Sequence, residues 1–211
     1  EENLPKGNLL FYTKMGMVKK TAWSEFGVVK SAFQVCKVNA GDEIIGIEEE
    51  RPDCSLMFVT AAGICLNADM SDIPAQGRIA AGVKGIQLTD DDSCIFIKQV
   101  STDGEIALLT NRGYGKRVIA ADIDVMGRYR KGVKIIDFGK TKAGNGDRLV
   151  FASYVKEPYK IVMEDEEGYM IAFSTEDMEI ADRTKPGKQL FKGRLDIVAG
   201  YIYNDDYLFG N

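Results

Sequence analysis

The functional side chains that cluster in this sequence are basic. Lysine and arginine outnumber aspartate and glutamate by 10 to 6 over residues 101–150, whereas acids lead by 8 to 6 over 1–50, by 6 to 4 over 51–100 and by 12 to 7 over 151–211. A local cationic surface binds a phosphate backbone through counterion release even on an acidic protein, and the formal net charge here is -5. The distribution therefore favours a polyanion-binding surface in the third quarter of the chain.

Catalytic groups are scarce by comparison. The chain contains no histidine, which excludes Ser-His-Asp and Cys-His catalysis within it. The acidic runs Asp90–Asp92 and Glu164–Glu167 are contiguous, whereas calcium and magnesium sites need spaced, convergent oxygens, so we predict solvated turns there. A carboxylate enzyme that uses acids such as Asp122 and Asp124 is the alternative interpretation.

The cysteines give no sign of a metal site or a disulfide framework. No pair of them has the C-x-x-C spacing of structural zinc sites, and such sites also draw on histidine. We expect reduced thiols at Cys36, Cys54, Cys65 and Cys94. We therefore predict neither a metal nor a cofactor, and no apolar run approaches the roughly 18 residues that a membrane-spanning helix needs.

A repeated pattern organises the chain. Gly77–Ile86 reads GRIAAGVKGI and Gly127–Ile136 reads GRYRKGVKII. Each copy follows an apolar run that ends in Thr-x-x-Gly. This signature occurs four times, with aspartate in place of threonine in the last: Thr13–Gly16, Thr60–Gly63, Thr110–Gly113 and Asp165–Gly168. Its glycines are 47, 50 and 55 residues apart, a period typical of propellers and solenoids.

Short apolar runs between these glycines predict an all-β fold. They are rich in Val, Ile, Phe and Tyr and are punctuated by Gly, Asn and Asp, as strands are. We predict that residues 1–8 are the remnant of a linker and that 9–211 form a single domain of four repeats, at about 9–53, 54–103, 104–157 and 158–211. The fourth repeat is the most diverged, and we place its copy of the ten-residue pattern at Gly187–Arg194 with altered spacing.

These motifs resemble the C-terminal DNA-wrapping domain of the A subunit of a bacterial type IIA topoisomerase, either DNA gyrase or topoisomerase IV. The shared order is an apolar run, Thr-x-x-Gly, a basic pair, Gly-Arg-x-x-x-Gly-Val-Lys-x-Ile and an Asp-rich turn. The resemblance covers most of residues 9–205 and is most specific at Gly77–Asp92. It implies a propeller-like β-pinwheel of about four four-stranded blades that exchange strands. The Arg-rich, Gly-rich box of the gyrase branch is absent, and the chain is acidic overall.

The resemblance also implies a function. It describes a cytoplasmic, non-catalytic domain of an ATP-dependent enzyme whose catalytic tyrosine lies upstream in the same polypeptide. The implied partners are duplex DNA, bound weakly and without sequence preference, the upstream catalytic domains and the ATPase subunit of the holoenzyme, with no membrane. The domain would bend DNA and present it to the strand-passage core. The alternative is a propeller that binds a basic protein through its acidic fourth repeat and does not touch DNA.

Basic residues on the repeats are the predicted DNA contacts. If residues 128–134 form a strand, its period of two places Arg128, Arg130 and Lys134 on one face and Lys131 on the other. The full predicted set is Lys19, Lys20, Arg78, Lys84, Arg112, Lys116, Arg117, Arg128, Arg130, Lys131, Lys134, Lys192 and Arg194.

Overall fold

The computed structural model describes residues 5–139, 144–191 and 196–203. Regular structure in these ranges consists of β-strands and four single-turn 3-10 helices, which are Trp23–Phe26, Met70–Asp72, Ala120–Asp122 and Thr175–Asp177. The all-β prediction is confirmed. None of the described helices has the length and apolar character needed to cross a membrane.

The described strands form four sheets, and the first and third are built alike. The strands of the first sheet are β1 (Asn8–Thr13), β2 (Met17–Ala22), β3 (Ile44–Glu49) and β6 (Val83–Lys84). Those of the third are β8 (Glu105–Thr110), β9 (Tyr114–Ile119), β12 (Leu149–Val155) and β15 (Lys188–Gln189). Their orders are β3-β1-β2-β6 and β12-β8-β9-β15, with antiparallel pairing throughout. In each sheet the short fourth strand comes from the next repeat.

The second and fourth sheets depart from four strands. The second contains β4 (Ser55–Thr60), β5 (Ile64–Ala68), β7 (Cys94–Val100), β10 (Val125–Met126) and β11 (Val133–Lys134). Its order is β10-β5-β4-β7, with β11 also paired to β5. It has a fifth strand because β10 pairs in parallel with β5, where the first and third sheets have only single parallel bridges. The fourth sheet has the order β14-β13-β16 in the described residues, and its strands are β13 (Lys160–Asp165), β14 (Met170–Ser174) and β16 (Ile197–Tyr203).

The Thr-x-x-Gly signature makes the tight turn of each hairpin. Its glycines have left-handed φ values of +75°, +76°, +73° and +84°, as a turn of this kind requires. Thr13 Oγ1 accepts a hydrogen bond from the Met17 N–H at 3.0 Å, and Asp165 Oδ1 accepts one from the Tyr169 N–H at 2.9 Å. The aspartate therefore performs the role of the threonine, which identifies Asp165–Gly168 as the fourth copy.

The repeated Gly-Val-Lys stretch supplies the exchanged strands. Gly82, Gly132 and Gly187 have φ values of +89°, +74° and +81°, and a short strand follows each of them. The third residue after each glycine donates its N–H to the turn glycine of the preceding hairpin; the pairs are Gly85 to Gly16 (2.8 Å), Ile135 to Gly63 (2.9 Å) and Leu190 to Gly113 (3.0 Å). The two predicted copies therefore occupy equivalent places. The predicted fourth-repeat copy was wrong, because Gly187 is the equivalent of Gly82 and the pattern begins at Asp182 with its spacing intact.

The chain divides into two compact units, each with its own core. The first consists of Glu1–Thr60, Cys65–Ser101 and Asp124–Val133, and the second of Ala61–Ile64, Thr102–Ile123 and Lys134–Asn211. In the first, Tyr12, Val18, Phe58 and Leu66 pack with Ile86 and Ile97. In the second, Leu109, Phe151 and Ile161 pack with Met163, Met178 and Ile197.

Candidate nucleic-acid interface

The arginine near the start of each copy of the ten-residue pattern attaches that copy to the preceding repeat. Arg78 donates from its guanidinium to the Gln34 carbonyl, Arg128 to the Lys84 carbonyl at 3.1 Å, and Arg183 to the Lys134 carbonyl at 3.2 Å. Arg128 also donates from Nε to the Asp72 carbonyl at 3.0 Å. Arg78 and Arg128 were predicted DNA contacts, but their guanidinium groups hold the backbone.

Arg183 is a residue that the sequence analysis missed. Its role is that of Arg78 and Arg128, since all three donate to a main-chain carbonyl of the preceding repeat. The signal that identifies it is spacing, because each of these arginines lies four residues before its positive-φ glycine.

Two of the predicted lysines are buried and engaged. Lys19 is 1% exposed, and its ammonium donates to the carbonyls of Val35 (2.6 Å) and Arg78. Burial lowers the pKa of Lys19 below its usual range. Lys116 is fully buried and donates to three carbonyls, those of Asp182 (2.8 Å), Arg183 (3.0 Å) and Lys185 (2.8 Å). The prediction that these lysines contact phosphate is corrected, because both ammonium groups bond to carbonyls inside the fold.

Three further predicted cations are in ion pairs. Lys20 lies 2.6 Å from Glu50, Arg112 lies 3.1 Å from Asp196, and Arg117 lies 2.6 Å from Glu105. The Lys20 side chain is 11% exposed, so it offers little surface to a ligand. A carboxylate partner also cancels most of the field that would attract a phosphate. We therefore leave these three out of the interface.

Residues 128–134 do not form one continuous strand, so the condition on which the predicted face depended is not met. Only Val133 and Lys134 are in a strand, and Tyr129 has a left-handed φ of +58°. The predicted sharing of one face by Arg128, Arg130 and Lys134 is therefore corrected. A backbone that reverses at Tyr129 breaks the alternation on which that argument rested.

Four predicted cations remain open to an anion. Lys84, Arg130, Lys131 and Lys134 are exposed, and no acidic side chain in the described ranges pairs with any of them. The first three belong to the first compact unit and Lys134 to the second. Lys192 and Arg194 lie outside the described residues.

Tyr129 joins the cations of the first compact unit, and the sequence analysis did not single it out. The Lys84 ammonium lies 5.4 Å from the centroid of its ring, and the side chain is 44% exposed. Asp42 and Asp90 line the same groove as Lys84 and Tyr129. The interface is therefore of mixed charge, and its attraction for a phosphate is weaker than that of a purely basic surface.

Comparison with known proteins finds similarity to one domain family. A family model for the DNA gyrase C-terminal domain, a beta-propeller, matches residues 55–101 and 104–156. The A subunit of DNA gyrase from Salmonella typhimurium strain LT2 is 31% identical over 190 residues, which are 90% of this chain and 21% of that protein. The chain is therefore similar in sequence to the DNA gyrase C-terminal domain. The A subunit of DNA topoisomerase 4 from Bacillus subtilis is 27% identical over 89% of the chain and 23% of its own length.

Solved members of the family share the fold. The C-terminal domain of DNA topoisomerase IV aligns with a TM-score of 0.84 at 24% identity, covering 96% of this chain and 63% of the other. The DNA gyrase A C-terminal domain aligns with a TM-score of 0.75 at 21% identity, covering 97% and 68%. These likenesses confirm the predicted β-pinwheel. The chain spans about a fifth of the length of the curated relatives, so it corresponds to their accessory C-terminal part, as predicted.

Proposed function

We propose that this chain is the DNA-binding and DNA-bending domain of the A subunit of a type IIA topoisomerase. It captures duplex DNA without sequence preference and presents it to a strand-passage core elsewhere in the same polypeptide, which works with an ATPase subunit in the cytoplasm. Similarity to the DNA gyrase C-terminal domain supports this function. The chemistry of the proposal does not require a cofactor.

The observation that carries the proposal is the set of unpaired, exposed cations. Lys84, Arg130 and Lys131 are exposed within one compact unit and have no acidic partner in the described part of the chain. Ordinary surface cations gain little from ion pairs, but a group of them gains counterion-release entropy when it neutralises phosphates. Since phosphate contacts carry no sequence information, binding should be sequence-tolerant.

The small number of open cations sets the strength of the interaction. Bending a site of 20 to 30 base pairs costs about 1 to 6 kcal/mol, which several phosphate contacts must offset. Three contacts from the first compact unit, with Asp42 and Asp90 in the same groove as Lys84, support weak binding and a limited bend. We expect affinity to fall steeply as salt is raised.

Replacement of Lys84, Arg130 and Lys131 by glutamine tests this function. Each neutralised phosphate contributes about 0.9 to the magnitude of the slope of log K against log salt, so the triple variant should flatten the slope by about 2 to 3. Its affinity should fall equally for unrelated duplex sequences, because the lost contacts are not to bases. Fluorescence anisotropy of a labelled duplex between about 25 and about 200 mM salt measures both quantities.

A charge-matched control uses three lysines of the second compact unit. Lys156 pairs with Asp103 at 2.9 Å, Lys188 pairs with Glu179, and Lys160 is exposed on the fourth sheet. Their triple glutamine variant loses the same net charge and should leave the slope nearly unchanged. Equal slopes for the wild type and the Lys84, Arg130 and Lys131 variant, with circular dichroism intact, would reject DNA binding by this surface and favour the protein-interaction alternative.

A further inference from the structure

The turns that open the three copies of the pattern, at 77–80, 127–130 and 182–185, differ in conformation, although their strands keep the same register. In all three, a main-chain N–H of the preceding repeat donates to the turn; the pairs are Lys37 to Ala80 (3.3 Å), Gln87 to Arg130 (3.0 Å) and Asp137 to Lys185 (3.3 Å). The first and third turns close on themselves, with Ala80 donating to the Gly77 carbonyl at 3.1 Å and Lys185 to the Asp182 carbonyl at 3.0 Å. The turn at 127–130 instead has Tyr129 in the left-handed region.

One sequence position correlates with this difference. It is the third residue after the turn glycine of the preceding hairpin, and it is occupied by Lys19, Leu66 and Lys116 in successive repeats. All three side chains are fully or almost fully buried. Lys19 and Lys116 donate to carbonyls of the turn that opens the next copy of the pattern, and those two turns are closed. The Leu66 side chain has no hydrogen-bond donor, and the turn that follows it is open.

Between the first and second repeats one carbonyl exchanges its donor. In the first repeat the carbonyl of Val35 accepts a hydrogen bond from the Lys19 ammonium at 2.6 Å. Its equivalent fifty residues later is the carbonyl of Gly85, which accepts one from the Tyr129 N–H at 2.5 Å. A buried carbonyl without a donor costs about 1 to 3 kcal/mol. Where leucine replaces lysine, the backbone supplies the missing donor by turning Tyr129 into the left-handed region.

We propose that the third residue after the turn glycine selects the conformation of the next basic turn, with lysine closing it and Leu66 opening it. In the open turn Tyr129, Arg130 and Lys131 are exposed, and the Lys84 ammonium lies over the Tyr129 ring. Leu66 is thus a positioning residue for the surface that binds DNA. The assignment to DNA rests on the proposed function, whereas the conformational selection does not.

A glycine substitution made with Lys19 present and again in the Lys19→Leu variant tests the selection itself. With Lys19 present, Ile79→Gly should lower the melting temperature by about 2 to 4 °C, since the turn does not need a left-handed residue and glycine adds unfolded-state entropy. In Lys19→Leu the same substitution should raise the melting temperature by a similar amount, because glycine takes the left-handed conformation without strain. Ile79→Ala is the control and should not reverse sign. An effect of Ile79→Gly with one sign in both backgrounds would overturn the proposal.

The native open turn provides a second test that needs no change in the core. Tyr129→Gly should raise the melting temperature by about 2 to 4 °C relative to Tyr129→Ala, since only glycine removes the strain of the left-handed backbone. A lower melting temperature for the glycine variant than for the alanine variant would contradict an open turn at Tyr129. Both variants keep the N–H that bonds the Gly85 carbonyl.

Proline at position 129 tests whether the conformation of the turn affects DNA binding. Tyr129→Pro fixes φ near −65° and removes the N–H, so it forbids the open form, whereas Tyr129→Gly permits it. Both variants lack the phenol ring of tyrosine, so the difference between them reports the effect of the backbone conformation. At about 0.1 M salt we expect Tyr129→Pro to bind duplex DNA at least about tenfold more weakly than Tyr129→Gly, with a slope flatter by about 1 to 2. Equal binding by Tyr129→Pro and Tyr129→Gly would overturn the positioning role of Leu66. If the wild type does not bind duplex DNA, the proposed function is refuted, and the melting temperatures alone decide whether Leu66 selects the turn conformation.

Discussion

Gly82→Ala should lower the free energy of unfolding of the first compact unit by about 4 kcal/mol. Gly82 has a φ of +89°, and a Cβ built there would collide with the Val18 carbonyl group of the neighbouring strand and press on Lys19. The left-handed backbone costs about 1 to 2 kcal/mol for a residue with a side chain, and overpacking against main chain adds about 1 to 3 kcal/mol. Urea unfolding followed by the fluorescence of Trp23, the single tryptophan, measures the loss.

Gly41→Ala, in the same compact unit, is the matched control for this change. Gly41 has a similar φ, +78°, but no atom lies within 4 Å of the Cβ that alanine would add. Its cost should be the backbone strain alone, about 1 to 2 kcal/mol. If the two variants lose equal stability, the close approach of the exchanged strand at Gly82 does not contribute, and strand exchange is weaker than the geometry implies.

Lys116→Met should destabilise the second compact unit by about 3 kcal/mol. Lys116 is fully buried, and its ammonium serves three carbonyls at 2.8 to 3.0 Å. Methionine preserves the aliphatic length but donates nothing. The Asp182 and Lys185 carbonyls each keep a main-chain donor, while the Arg183 carbonyl loses its ammonium partner. A buried acceptor left without a donor costs about 1 to 3 kcal/mol, and the charged hydrogen bonds lost at the other two add to this.

The measurement is urea unfolding followed by far-ultraviolet circular dichroism, with Trp23 fluorescence as the signal of the other compact unit. Lys160→Met is the control, because Lys160 is exposed and its replacement should change stability by no more than about 0.5 kcal/mol. Stability equal to that of the wild type in Lys116→Met would show that the buried ammonium gains nothing over a thioether. The interpretation that the Lys116 ammonium holds the following turn closed would then be rejected.

The sequence predicted the strands and the period because these depend on local properties. Glycine is needed where φ is positive, so Gly16 and Gly63 marked the hairpins before any packing was known. The same logic would have located Gly187 as the partner of Gly82, had the arginine four residues earlier been used for alignment. The error in the fourth repeat came from matching its lysines and glycines in order and ignoring that spacing.

The basic residues were harder to assign, because charge does not reveal which face of a strand a side chain occupies. Lys19 and Lys20 are adjacent on β2, so alternation sends them to opposite faces, and both cannot contact one ligand. The same holds for Lys116 and Arg117 on β9. A buried lysine is rare enough that surface exposure is the natural expectation. Only the carbonyl groups around Lys19 and Lys116, which lie far away in sequence, reveal their role.

The joints made by Arg78, Arg128 and Arg183 have an evolutionary consequence. Each guanidinium binds a main-chain carbonyl, at Gln34, Lys84 and Lys134, and the joint makes no demand on the side chain of the acceptor residue. Those three side chains are all exposed. Mutation can therefore change the charge at these positions, one repeat at a time, without breaking the hydrogen bonds that connect consecutive repeats. A duplicated module of this kind can drift towards stronger or weaker polyanion binding while its architecture stays under separate selection.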